Sequence, residues 1–306
     1  MTRYRVRHLT RYSYDETVAV CHNVAHLRPR SSMESIVRSY TLRIEPATHV
    51  ENRTDYFGNP IACFSIPERH QAMSLEAISE VQILPRTLPD PGQTLPWERV
   101  REGLRQRAFP DWLEATQFLF DSKLVMRGAD LAAFARGSFS PGRPILEAAL
   151  DLNRRIHEQI AYVPRSTDVE TTAIQALELQ RGVCQDLAHI FAGAVRSIGL
   201  PARYVSGYLR TRPAPGQPIR VGADESHAWV SVYLGDAGWV DLDPTNDLVV
   251  REEHVLLGWG RDYRDVAPLL GIYLGGKNQT LHVEVDVTPV ETSDESLLAE
   301  SHAPGF

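Results

Sequence analysis

Four prolines, Pro85, Pro89, Pro91 and Pro96, crowd into residues 84–96 and divide the chain into two stretches of different texture. Each proline fixes φ and removes a backbone donor, so the segment can continue neither a central strand nor a helix. It reads as a linker over 85–96. Ahead of it, residues 1–84 read as β. The run Tyr4-Arg5-Val6-Arg7-His8-Leu9 and segments near 18–27, 37–44, 61–66 and 78–84 are rich in β-branched or aromatic residues, and Phe57-Gly58-Asn59-Pro60 marks a turn. Short strands at this spacing predict a β-sandwich or small barrel.

Beyond the linker the hydrophobic period changes. Residues 97–143 read as a connecting region of short helical pieces. Pro144 stands where a first helical position should be, and Ile145, Ala149, Leu152, Ile156 and Ile160 recur at three- and four-residue steps, which predicts an amphipathic helix. A short helix is expected over 172–179. Another begins near Cys184 and carries Leu187, Phe191, Ala194, Val195 and Ile198, with Gly199 and Pro201 ending it. Strands follow at about 202–209, 227–234 and 239–243, the first two separated by the Pro/Gly-rich loop Thr211–Gly222. The reading is an α+β core over 144–250, with helices packed on an antiparallel sheet. A C-terminal extension, 251–306, contains the alternating strand Leu281-His282-Val283-Glu284-Val285-Asp286-Val287 and a polar, frayed end.

Composition narrows the function classes. A chain of 306 residues is long enough for about two domains and a sizeable core. Its formal net charge of −7 argues against nucleic-acid binding, which needs clustered Lys and Arg. No stretch approaches the ~18 apolar residues of a membrane span, and the N-terminus shows no apolar signal core, so a cytoplasmic location is expected. The three cysteines, Cys21, Cys63 and Cys184, are too few and scattered for a disulfide framework or a metal cluster. No metal and no cofactor are expected.

Cys184, in Arg181-Gly182-Val183-Cys184-Gln185-Asp186, falls at the first turn of a predicted helix, where unpaired amides and the positive dipole end favour thiolate. A base is available in His227, in the alternating segment Glu225-Ser226-His227-Ala228-Trp229. His189 is closer in sequence, but five helical steps turn it about 140° away from Cys184. The return strand Trp239-Val240-Asp241-Leu242-Asp243 carries two aspartates on one face. If the hairpin pairs Tyr233 with Trp239, Asp243 lies opposite Trp229 and diagonal to His227, whereas a one-residue slip would turn it away. A Cys–His–Asp order of this kind is a nucleophilic acyl-transfer arrangement. Cys21 and Cys63 have no such company and read as structural.

Three blocks, GVCQDLAHIFAGAVRSIGLPARYVSGYL (182–209), ESHAWVSVYL (225–234) and GWVDLDPTND (238–247), resemble the transglutaminase-like superfamily in its own order. YSYDE, HLRPR and DYFGNP resemble the β-rich N-terminal region of its bacterial two-part members, and GRDYRDVAPLLG (260–271) their C-terminal segment. Residues 97–140 carry no resemblance that can be named. The resemblance implies a papain-like core preceded by the β-sandwich-like domain, with Cys184 as nucleophile, His227 as base and Asp243 as orienter. It also implies a thioester formed from a peptide or protein amide and then taken by water or by an amine. The Cys184 amide and a side-chain donor would hold the oxyanion, and Tyr162 is the candidate donor, with a core Tyr at a helix end as its other reading. Nothing resembles the calcium sites of animal transglutaminases.

Hydrolysis is expected over transamidation, because the 211–225 loop shows no amine-selective feature. Tyr208 and Trp229 are candidate pocket walls, although strand aromatics also serve as core. Asp224 and Glu225 are candidates to attract a cationic substrate group, a solvated acidic loop being the other reading. Residues 1–84 are expected to flank the core and narrow access to the cleft, or to mediate a homodimer. The alternative functional reading is a non-catalytic protein-binding module that keeps the fold. An arylamine-type acyltransferase ranks last, since no basic loop is present to cradle a nucleotide-bearing donor.

Overall fold

The structure, a computed structural model, describes residues 2–211 and 225–290. Its N-terminal part is built around one strand, β1 (Thr2–Ala25), with β2 (Ser35–Glu45), β3 (Val50–Thr54), β4 (Pro60–Ile66) and β5 (His70–Ile83). The sequence suggests two short strands within β1. They merge because residues 10–17 are polar but contain neither Gly nor Pro, so nothing ends the strand. It bends instead: the register with β5 shifts between Ser13 and Val18. The sheet order is β2-β5-β1-β4-β3. Both halves of β1 contribute to one core, where Tyr14, Val18 and Cys21 meet Phe64, Met73 and Leu75, so a single bent sheet gives the sandwich-like layering.

The second part begins with three short helices, α1 (Trp97–Arg105), α2 (Trp112–Thr116) and α3 (Ala129–Arg136), followed by α4 (Ile145–Gln159). Then come β6 (Ala161–Tyr162), α5 (Ala173–Leu179), β7 (Arg181–Gly182) and α6 (Cys184–Ser197). Thr172 and Gln175 form a reciprocal capping box at the start of α5. Gln185 to Arg196 are all buried, so α6 is the central helix rather than a surface one. Its apolar side chains share a core with Val100, Leu131, Ala149, Leu152 and Ala176 of the surrounding helices. Gly199, with φ of +87°, ends it in the left-handed region as the sequence predicts.

Against α6 lies an antiparallel sheet of β8 (Ala202–Leu209), β9 (Glu225–Tyr233), β10 (Trp239–Asp243), β11 (Leu248–Val249) and β12 (His254–Gly260), ordered β11-β10-β9-β8-β12. The C-terminal segment is therefore divided between both parts. β12 edges the second sheet, while β13 (Leu269–Gly275) and β14 (Gln279–Pro289) return to pair with β1. Tyr4, Val6, Val81, Ile83, Val285 and Val287 of the first sheet pack on Tyr208, Val255 and Leu257 of the second. That shared apolar joint positions β12 beside β8. Apart from Thr211, the Thr211–Gly222 loop lies outside the described residues, as do Asp224, the polar tail from 291 and the Glu225 side chain.

Candidate active site

The start of α6 is set by its own first turn. Asp186 Oδ2 accepts from the Val183 amide at 2.8 Å and from Thr167 Oγ1 at 2.6 Å, tying the helix start to the preceding loop. A Cβ on Gly182 would sit 2.5 Å from the Asp186 Cβ, so only glycine fits beside this cap. Cys184 is thereby the first residue of α6, half-buried and free, among Ala188, Tyr204, Ala228 and Val266.

His227 comes from β9, opposite Gly207 of β8. The β9–β10 register pairs Tyr233 with Trp239 and runs on to Val230 with Leu242, so the next step sets Asp243 across from Trp229. His227 Nε2 donates to Asp243 Oδ2 at 2.8 Å, and the Cys184 sulfur is close enough to the ring to act on its charge. With Nε2 engaged, Nδ1 is the nitrogen left for sulfur. Burial alone would lower the His227 imidazolium, but the hydrogen bond to Asp243 and the interaction with Asp243 and Cys184 reverse this and raise it to about 10. Burial likewise works against the Asp243 carboxylate, yet hydrogen bonds from His227, His254 and Asn246 hold it well below the usual carboxylate range. A charged imidazolium beside sulfur and an obligate carboxylate behind it are what a thiolate nucleophile requires.

The other expected residues fall in different places. Tyr162 is 44% exposed and pairs in register with Gly182, two residues before Cys184, so it is not a core tyrosine. Tyr208 does not line a cleft. It lies in the joint between the two sheets, and its hydroxyl hydrogen-bonds His8 Nδ1 at 3.0 Å. Trp229 is also buried, but beside the site: its ring is 6.3 Å from that of His227, and its Nε1 donates to Asp241 Oδ2 at 3.1 Å. The two aspartates of β10 thus serve different partners. His189 has partners other than Asp243. It accepts from the Tyr263 amide at 3.1 Å, and burial pushes it down to about 3, a neutral core imidazole.

Two residues at the site escaped the sequence reading. Asn246 donates to Asp243 through its side chain at 2.7 Å and its backbone at 3.3 Å. The Asp243-Pro244-Thr245-Asn246 run is a turn in which such bonds recur, so this signal was present in the sequence. His254 places Nε2 3.2 Å from Asp243 Oδ2. No local spacing announces it; only the pairing of β12 with β8 brings it there. Donor atoms of His227, Asp243 and His254 all lie within 4.8 Å of one another, a spacing that could hold a cation. Their mutual hydrogen bonds account for that closeness without an ion.

An antiparallel sheet against a central helix whose first residue is a half-buried cysteine, with a histidine–aspartate pair on the facing strands, defines a papain-like cysteine-centred fold. The chain belongs to the transglutaminase-like superfamily, whose signature matches residues 132–244. The bacterial transglutaminase-like N-terminal region matches 4–82. It is 36% identical to the uncharacterized protein Rv2569c of Mycobacterium tuberculosis, over 94% of this chain and 93% of that one. With the protein-glutamine gamma-glutamyltransferase of Pseudomonas aeruginosa it shares 35% identity over 103 residues, 33% of this chain and 15% of the relative. Among solved structures, a Cytophaga hutchinsonii protein described as a candidate cysteine protease superposes with a TM-score of 0.74 at 18% identity, covering 95% and 91% of the two chains. No helix among the described residues is long and apolar enough to cross a membrane.

Proposed function

We propose that this protein is a cysteine hydrolase or acyltransferase of peptide or side-chain amides, with Cys184, His227 and Asp243 as its catalytic triad. The observation that carries the reading is His227 held between the Cys184 thiol and a fully buried Asp243. In the proposed sequence the Cys184 thiolate attacks the amide carbonyl, and the imidazolium passes its proton to the leaving nitrogen as the C–N bond breaks. The thioester is then attacked by water, from which His227 takes a proton, releasing the acid and restoring the thiolate–imidazolium pair. The Cys184 amide holds the oxyanion, with the exposed Tyr162 hydroxyl as its candidate partner. Water is the favoured acceptor, being always present.

The partial likeness to a protein-glutamine gamma-glutamyltransferase makes the glutamine side-chain amide the first substrate to test. Glutamine-containing peptides incubated with wild type and Cys184→Ala, with and without a primary amine, separate the outcomes by mass spectrometry. Cys184-dependent glutamate marks hydrolysis, and an amine adduct marks transamidation. Unchanged peptides, together with Cys184 alkylated by iodoacetamide no faster than a free cysteine, would leave a non-catalytic module and sink the proposal.

A further inference from the structure

Asp243 accepts more hydrogen bonds than a triad requires. Thr245 and Asn246 amides donate to Oδ1 at 2.9 and 3.3 Å. Oδ2 accepts from the Asn246 side chain at 2.7 Å, His227 Nε2 at 2.8 Å and His254 Nε2 at 3.2 Å. The carboxylate is 0% exposed, so this set replaces its hydration. Two imidazoles on one oxygen are not needed for packing. His254 is itself 6% exposed, and its Nδ1 is buried without a partner among the described residues. An unmade hydrogen bond of that kind is a cost that an apolar side chain of the same size would avoid. The ring is held edge-on to Trp229, centroids 5.3 Å apart at 82°, which aims Nε2 at the carboxylate.

We propose that His254 is a positioning residue for the reaction: it holds Asp243 ionised and oriented toward His227. The inference rests on the triad reading given above. It also makes the site dependent on β12, which lies beyond the matched core of residues 132–244. In chemical terms, a carboxylate with five donors has no room to be protonated, so the proton stays on His227. Losing the His254 donor lets the carboxylate swing, and the His227–Cys184 pair loosens with it.

The test uses the full chain and needs no known substrate. The rate of Cys184 alkylation by iodoacetamide is followed from acid to alkaline pH for wild type, His254→Gln, whose amide nitrogen reaches as far as Nε2, and His254→Phe, which has no donor. His254→Asn, too short to reach Asp243, serves as the loss variant if phenylalanine prevents folding. The donor-less variants are expected to react roughly 10-fold more slowly near neutral pH, with the acid limb of the profile moved upward. His254→Gln is expected to stay within about two-fold of wild type, the donor to Asp243 Oδ2 being restored. Superimposable profiles for wild type and the loss variants, all folded by thermal melt, overturn the assignment, as does a glutamine variant that behaves like asparagine. A wild-type thiol no more reactive than free cysteine signals instead that the triad reading itself has failed.

Discussion

Asp243 concentrates the residue-scale argument, because what it accepts decides the charge on its neighbours. Asp243→Asn keeps the shape but offers an amide where His227 Nε2 donates, so the imidazole is left in the wrong tautomer. Turnover is expected to drop by about 10³–10⁴-fold with the fold intact by circular dichroism, as in other triads whose acid is amidated. The same pair sets a pH dependence. The folded value of about 10 for His227 lies above its ordinary 6.5, so the stabilisation it brings is complete below 6.5 and is lost as pH rises to about 10. Asp243 is depressed below its ordinary 3.8, so its contribution is present above 3.8 and is lost on acidification. The melting temperature is therefore expected to fall between neutral pH and 10, and to fall less in His227→Gln. A melting temperature independent of pH over that window would contradict the charged pair. Tyr162→Phe tests the oxyanion donor: loss of one such donor costs about 10²–10³ in kcat with KM little changed, and full turnover would remove Tyr162 from the mechanism.

At the scale of elements, the sequence spoke most clearly where one period runs unbroken. The three- and four-residue steps of Ile145, Ala149, Leu152 and Ile156 locate α4, and Gly199 locates the end of α6. The hairpin register was legible because Asp243 helps only if Tyr233 faces Trp239, and that pairing is found. Strand β1 was not legible as one element: its polar middle is read locally as a break, whereas the pairing with β5 and β14 carries it through. His254 was hidden for the same reason, since cross-strand placement leaves no spacing in the chain. One glycine shows how tightly these strands support the site. A Cβ on Gly207 would lie 2.3 Å from both the Trp229 ring and the Val255 carbonyl oxygen. Neither can move without disturbing β9 or the β8–β12 pairing. Gly207→Ala is expected to destabilise the protein by about 1–3 kcal/mol and to lower turnover beyond what the unfolded fraction explains, read from chemical melts alongside activity.

Across the whole molecule, the chain's return path matters more than its order. Residues 1–84 precede the linker and look removable in the sequence, yet β13 and β14 complete the sheet that β1 begins. Cutting that region away strips the partner from both strands and uncovers Tyr208, Val255, Leu257, Val285 and Val287 at the joint. Burying each such side chain contributes about 1.5–3 kcal/mol, so losing the covering sheet removes an amount comparable with the total stability of a domain. It also loosens β12, whose Val255 and Leu257 lie in the joint and whose first residue is His254. A fragment spanning 85–306 is therefore expected to melt without cooperativity, to bind a hydrophobic dye, and to alkylate Cys184 no faster than a free thiol. If it unfolds in one sharp transition and keeps the reactivity of the full chain, the two sheets are independent, and the N-terminal region acts on the cleft from outside rather than as part of the support of the site.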